Sequence, residues 1–436
     1  MSSLMLGLYS ALMWLGQPLL RRKLARRGVE EPGYGEVAEE RFGHYSQPAE
    51  AAADLVWVHA VSLGETRTAA VLLRALRAQY PGIRILLTHG TATGRAEGSG
   101  LLHPGDVQVW QPWDSKGAVE RFFSHFKPRL GLLMETEVWP NMVAIARKRA
   151  MPLVLVNGRL SEKSLQQALG MAPLSYPAYA ALAAVYAQTD DDARRYRLLG
   201  AKIDGVFGNL KFDATPDHDQ QSIGKAWRKA SAQPVVMFAS SREGEEDTFF
   251  AQVVALKQER QTLTLPRFLV VPRHPQRFDE VQALAENQGL KVSRRSAWLS
   301  GPDGPAGNAE AMAADILLGD SLGEMAVYYA MSDVALLGGS FEALGGQNLI
   351  EAAACGCPVV MGPHTFNFTE AADLAQASGA ARRVTDLPEG VRSALALLAR
   401  PNAHHAAVVA SLAFAAGNRG ATEKTLNALK PFLDLA

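Results

Sequence analysis

The chain repeats one pattern twice: short runs of Val, Ile and Leu that are apolar at almost every position, separated by longer segments of helical period. In the first half these runs are 55–58, 83–88, 107–110, 130–134 and 153–157, with helical segments such as 65–79 and 141–149 between them. In the second half they are 235–239, 268–271, 315–318, 334–337 and 358–361. A strand with one wet face alternates polar and apolar residues, whereas a strand apolar throughout is covered on both faces. The pattern therefore predicts α/β architecture: two doubly wound parallel sheets, each sandwiched by helices. A polar stretch with a proline, 213–221, separates the halves and reads as a linker, and 299–310 reads as an exposed loop.

Composition narrows the function. Over 436 residues, 44 Lys and Arg balance 44 Asp and Glu, which argues against a nucleic-acid partner because counterion release needs a concentrated basic surface. The two cysteines, Cys355 and Cys357, are too few and too close for a disulfide framework or a zinc site, so reduced thiols are expected. The N-terminus departs from the average. Residues 4–20 are mostly apolar, and Arg21, Arg22, Lys23, Arg26 and Arg27 follow with no acidic residue before Glu30. A secretory signal has the opposite order. The run is short for a span and contains Gln17 and Pro18, so it reads as a membrane anchor, monotopic or a single short span, with its basic collar on anionic headgroups of the cytoplasmic face. A buried first helix with a solvated basic end is the plainer alternative.

In open parallel sheets ligands bind beyond the carboxyl ends of the strands, and that is where the polar motifs lie. After the first strand comes His59-Ala60-Val61-Ser62-Leu63-Gly64-Glu65, whose Glu on its own reads as a first-turn cap. After the fourth comes Glu135-Thr136-Glu137, where alternation along an extended segment lets at most one carboxylate face the ligand. Lys211 sits just before the linker. In the second half Pro272-Arg273 ends a strand, and a guanidinium there suits a phosphate. Gly319 to Met325 follows the next strand. Gly338-Gly339-Ser340 and Gly345-Gly346-Gln347-Asn348 then precede a helix in which Glu351 lies one turn beyond Asn348, on the same face. No P-loop, H-E-x-x-H or G-x-S-x-G motif is present, and G-x-G-x-x-G follows the first strand of neither half. Nucleotide-linked group transfer remains.

Eight segments together carry a resemblance: WVHAVSLGE (57–65), ETEVWPN (135–141), NGRLSEKS (157–164), GNLKFD (208–213), ASSREGEE (239–246), PRHPQRF (272–278), GDSLGEM (319–325) and GGSFEALGGQNLIEAAACGCPVV (338–360). In this order they resemble the bacterial Kdo transferases, which move 3-deoxy-D-manno-octulosonic acid (Kdo) from CMP-Kdo to the lipid A precursor. The resemblance implies a GT-B fold with three parts: an anchor and collar over 1–27, an acceptor-binding Rossmann-like domain over 28–213, and a CMP-Kdo-binding domain over 214–436. It also implies work at the cytoplasmic face of the inner membrane with no cofactor and no required metal. By motif, the general base falls on Glu65, which displaces the capping reading, and transition-state stabilisation on Glu135 and Lys211. Nucleotide contacts fall on Pro272, Arg273, Gly323, Glu324, Met325, Asn348, Leu349, Ile350 and Glu351.

The residue types suit that chemistry. An acceptor hydroxyl attacks as a carboxylate takes its proton, and the departing CMP needs cationic support. Direct displacement would invert the anomeric centre. Lys211 suits either the Kdo carboxylate or an acceptor phosphate, and Arg147, Lys148 and Arg149 are further candidates for acceptor phosphates. With base and leaving group assigned to different domains, domain closure is expected to assemble the site. Two other readings stay open: a GT-B enzyme acting on another nucleotide sugar, such as a UDP-sugar transferase or epimerase, and a non-catalytic membrane-surface scaffold.

Overall fold

The structure is a computed structural model that describes residues 2–49, 55–259, 265–298 and 303–434. The chain forms two compact units, Met1–Asp213 with Arg419–Ala436, and Ala214–Asn418. The sequence reading carried the second domain to residue 436, but the chain returns to the first unit for its last eighteen residues.

In the first unit seven parallel strands, β1 (Val56–His59), β2 (Ile85–His89), β3 (Val107–Trp110), β4 (Leu130–Met134), β5 (Leu153–Gly158), β6 (Ala184–Ala187) and β7 (Ile203–Val206), lie in the order β3-β2-β1-β4-β5-β6-β7. The first five were legible as apolar runs. β7 was missed because Asp204 and Gly205 interrupt it at a half-buried edge, and β6 because its Ala-Val-Tyr-Ala sequence sits in an alanine-rich stretch without a run of Val, Ile or Leu. The helices are α1 (Ser2–Leu15), α2 (Gln17–Glu30), α3 (Leu63–Gln79), α4 (Ala92–Ser99), α5 (Lys116–Phe126), α6 (Pro140–Lys148), α7 (Glu162–Gly170), α8 (Ala172–Ala180) and α9 (Asp190–Leu198). Side-chain alternation along the strands divides the core into two layers. Trp57 and Leu133 pack on one face with Val119, Phe122 and Phe126 of α5, while Val56, Val58 and Leu132 pack on the other with Leu72 and Leu76 of α3.

The second sheet contains β8 (Val235–Ser241), β9 (Arg267–Pro272), β10 (Val292–Arg294), β11 (Ile316–Leu318), β12 (Val334–Leu337), β13 (Val359–Met361) and β14 (Ala381–Arg383), in the order β10-β11-β9-β8-β12-β13-β14. Its unpredicted strands, β10 and β14, are three-residue edge strands carrying Arg294 and Arg382, a composition that discourages pairing with another chain. Around it lie α10 (His218–Ala230), α11 (Glu245–Glu259), α12 (Phe278–Asn287), α13 (Ala309–Ala313), α14 (Met325–Ala330), α15 (Ile350–Ala354), α16 (Thr369–Ala377), α17 (Leu387–Leu398) and α18 (Pro401–Gly417). The expected linker is shorter than read, since Asp217 accepts the Gln220 N–H and caps α10. Of the expected loop at 299–310, residues 299–302 lie outside the described residues; Gly304–Gly307 is a 3-10 turn in which Gly304 and Pro305 are buried.

The last helix, α19 (Ala421–Leu433), belongs to the first unit's core, with Leu429 and Leu433 buried beside Leu72 and Leu76. Asp213 fixes its start by accepting N–H bonds from Gly420 (2.6 Å) and Thr422.

The N-terminal run is two helices that meet at Gly16, where Pro18 lacks the N–H a continuous helix would use. No helix among the described residues is long and apolar enough to cross a membrane. Instead α1 is two-faced. Leu4, Leu8, Leu12 and Leu15, joined by Leu19, form an exposed stripe at helical spacing. Ser10, on the other face, donates to Asn141 Oδ1 at 2.7 Å, and the Tyr9 hydroxyl bonds the Asp114 carboxylate. The collar is partly folded back: Arg21 pairs with Glu39 and lies over Phe42, Arg27 lies over Tyr34, and Leu24 is buried, whereas Arg22, Lys23 and Arg26 stay exposed.

Candidate active site

Each sheet changes winding direction once, between β1 and β4 in the first unit and between β8 and β12 in the second. At such switch points the loops leaving adjacent strands diverge and open a crevice.

Glu65 stands at the first switch point, in the opening turn of α3. Ser62 caps this helix, and Glu65 Oε2 reaches back to accept the Val61 N–H at 2.7 Å. The capping reading is therefore correct as geometry, but the environment goes beyond a cap. The Glu65 carboxyl is pushed up to about 7, chiefly by burial and then by the Glu135 and Glu137 carboxylates, against the lowering effect of the Val61 N–H. A carboxyl that titrates near neutrality is matched to taking a proton at working pH.

The Glu135 loop departs from expectation. Glu135 adopts φ 59°, so the chain leaves β4 in a left-handed turn and the alternation rule fails. Both carboxylates then act on Glu65. Such a conformation costs a non-glycine residue about 1 kcal/mol and persists only where surroundings hold it. Here the Glu135 N–H donates to Val156 O (3.0 Å), and its carbonyl accepts from the Arg159 N–H (3.1 Å) and the Tyr196 hydroxyl (2.9 Å). Tyr196 is fully buried and was missed by sequence reading, since an aromatic at helical spacing looks like core. Glu135 Oε1 lies 3.0 Å from Lys211 Nζ, a charge contact without aligned hydrogen-bond geometry. Asn157 seats the Lys211 turn by accepting the Leu210 N–H at 2.9 Å. The first unit thus gathers all three predicted catalytic residues. Arg147, Lys148 and Arg149 do not join them: they lie at the far end of α6, where Arg149 donates to Ser124 Oγ.

At the second switch point the glycines of the Gly338–Ser340 turn were expected to let the backbone approach a ligand, but the Gly338 N–H donates to Ala239 O (2.8 Å) and the Gly339 N–H to a buried carboxylate. Glu245, 1% exposed, accepts N–H bonds from Gly339 (2.8 Å), Arg242 (3.0 Å), Phe341 (3.2 Å) and Glu342 (3.4 Å). Gly338 is required because a Cβ there would meet Ser240 O at 2.2 Å. Beside it the buried Arg277 holds Glu246 at 2.8 Å. In the sequence, ASSREGEE contributes only to the resemblance, which gives neither Glu a role.

The predicted nucleotide residues spread over three neighbouring loops of the second unit. Pro272 ends β9, and the Arg273 N–H donates to Ser241 O at 3.0 Å. Gly323 has φ 77° and its carbonyl accepts from Gln220; Glu324 pairs with Arg295 at 3.0 Å; Met325 opens α14. Asn348 lies before α15 rather than within it, and its Oδ1 accepts the Ile350 N–H, so it shares no helical face with Glu351. Leu349 and Ile350 have buried side chains and can offer a ligand only main chain. α15 has five residues and a correspondingly small dipole, which leaves the guanidinium of Arg273 as the stronger attraction for phosphate. Among the described residues no three His, Cys, Asp or Glu side chains gather as a metal site.

Comparison with known proteins gives these arrangements a family. The profile described as 3-deoxy-D-manno-octulosonic-acid transferase (kdotransferase) matches residues 36–214. The chain is 46% identical to the 3-deoxy-D-manno-octulosonic acid transferase of Bordetella pertussis over 98% of this chain and 99% of that one. It is 29% identical to that of Haemophilus influenzae over 98% of each. Among solved structures, UDP-GlcNAc 2-epimerase from Neisseria meningitidis superposes with a TM-score of 0.55 over 86% of this chain and 99% of that one, at 14% identity, a likeness of fold alone. With 46% identity sustained over nearly its whole length, the chain belongs to the 3-deoxy-D-manno-octulosonic acid transferase family.

Proposed function

We propose that this enzyme transfers Kdo from CMP-Kdo to the lipid A precursor with inversion at the anomeric carbon, Glu65 acting as general base. The observation that carries the assignment is the Glu65 carboxyl at the β1/β4 switch point, raised to about 7 among the Glu135 and Glu137 carboxylates. A hydroxyl hydrogen-bonded to it becomes nucleophilic as its proton transfers, and the adjacent negative charges strengthen the base. Lys211, held by Glu135, is placed to meet an anionic group of either substrate, and Glu135 favours positive character at the donor carbon. Arg273 compensates the charge that develops on CMP as it leaves.

The acceptor is an amphiphile, and α1 supplies a reason for the enzyme to meet it at a bilayer. We place the enzyme on the cytoplasmic face of the inner membrane, with the Leu4-Leu8-Leu12-Leu15-Leu19 stripe in the acyl boundary and Arg22, Lys23 and Arg26 on headgroups. This is a helix lying on the surface, each close cation contributing about 1 kcal/mol. Because α1 and α2 also pack on the first unit, deleting them removes more than an anchor. Leu8→Glu with Leu12→Glu tests the stripe alone and should release the protein from anionic vesicles; retention at low salt would overturn the placement.

The decisive experiment is acceptor-dependent release of CMP from CMP-Kdo by wild type and by Glu65→Gln. The variant should fold, bind CMP and lose transfer by at least about a hundredfold. Near-normal turnover would remove Glu65 as the base. Protection against thermal unfolding by UDP but not CMP would instead favour another nucleotide sugar.

A further inference from the structure

A cavity of about 160 Å³, on the order of five waters, opens at the carboxyl ends of β1 to β4. Three of its lining residues, Arg41, Trp113 and Trp139, have a buried donor nitrogen without a hydrogen-bond partner. Arg41 is 3% exposed, lies 4.0 Å from the centroid of the Trp110 ring and spends one Nη on Gly90 O, while its Nε has no hydrogen-bond partner. The indole N–H of Trp113 also has none. Buried donors left unpaired are costly, but these nitrogens are covered by protein, so they lie in the cavity's wall and do not by themselves choose its ligand.

The remaining lining chooses the ligand. His59 Nδ1 lies 2.9 Å from Thr88 Oγ1 and 3.2 Å from the Thr88 carbonyl. A carbonyl requires a donor, so Nδ1 carries the proton and Nε2 is an acceptor. Burial, with His89 and Arg41 nearby, holds this imidazole neutral, its pKa pushed down to about 3. Gln111 accepts the Thr88 hydroxyl through Oε1, which leaves its NH₂ as a donor. Asp114 and Glu137 also line the cavity, and the rings of Trp113 and Trp139 form apolar walls. A phosphate would be set against two carboxyl groups, and an acyl chain would strand the polar groups. Alternating donors and acceptors beside aromatic faces suit a hydroxylated ring. Val61 fixes where that ring would lie: it lines the cavity while its N–H holds Glu65 Oε2.

We propose that this cavity is the acceptor-sugar subsite, in which one pyranose ring of the acceptor's saccharide lies against Trp113 and Trp139 with its hydroxyls on Arg41, Gln111 and His59. The assignment rests on the transferase reading above and adds the residues that select the acceptor. Two measurements test it. In the CMP-release assay, Trp113→Leu should raise the acceptor KM about tenfold, and Trp113→Phe, which keeps a ring and loses the N–H, by less; both should keep wild-type thermal protection by CMP. In the unaltered protein, the de-acylated saccharide headgroup should quench tryptophan fluorescence saturably, and Trp113→Phe should lose most of that signal. An acceptor KM within twofold of wild type in Trp113→Leu would overturn the subsite. If Trp113→Leu fails to fold, the Phe variant and the titration decide, and the same quench from inorganic phosphate alone would replace a sugar site by an anion site. Absence of acceptor-dependent CMP release in wild type is a different failure, that of the transferase reading itself.

Discussion

The two sheets reverse direction at equivalent places, yet their crevices are occupied in opposite ways. At the β8/β12 switch point a buried carboxylate, Glu245, satisfies four main-chain donors and holds the glycine turn rigid. At the β1/β4 switch point the carboxyl of Glu65 has two acidic neighbours, and the residues lining a cavity beside it include buried donors with no partner. One crevice is completed by the protein; the other leaves groups for a ligand to complete. A satisfied network positions, whereas an unsatisfied one binds or reacts.

That contrast can be broken or sharpened by substitution. The largest effect expected is on turnover in Glu65→Gln, described above. Next, Glu245→Ala leaves four N–H groups without their acceptor, which should cost about 3 kcal/mol in denaturant unfolding and raise the CMP-Kdo KM while the acceptor KM stays put. Equal shifts in both Michaelis constants would mean that Glu245 does not act on the donor turn alone.

The pH dependence separates the two crevices further. The acceptor-dependent rate should rise as Glu65 loses its proton near pH 7 and lose that step in Glu65→Gln. Stability runs the other way. A carboxyl raised from 4.5 to about 7 in the folded state contributes stability that is present at low pH and lost as pH rises through 7. Glu65→Gln should therefore gain on wild type between pH 5 and pH 8, by on the order of 1 to 2 kcal/mol, read from denaturant midpoints. The smallest effect is expected for Tyr196→Phe, which removes one hydrogen bond to the left-handed Glu135 and should cost about 1 kcal/mol with a modest loss of rate. Full activity in that variant would show that Glu135 is held without it.

The layered architecture was legible because strands buried on both faces have no polar positions, and the site motifs were legible because they follow those strands. What escaped had physical causes. The edge strands β7, β10 and β14 are short and carry charged side chains. Glu135 broke alternation because its backbone is left-handed, which no side-chain pattern announces. Glu245 and Tyr196 act through main-chain partners distant in sequence, and Arg41 and Trp113 meet only once the sheet has formed.

The return of α19 makes the second unit an insertion within the first. Ala214–Asn418 is contiguous and has emerged from the ribosome before the last helix is made, whereas the layer of the first unit that contains Leu72 and Leu76 stays open until Leu429 and Leu433 arrive. Synthesis therefore sets an order in which the second unit matures early and the unit that contains Glu65 last. A chain that stops short of residue 419 leaves an apolar groove uncovered in the unit that contains Glu65.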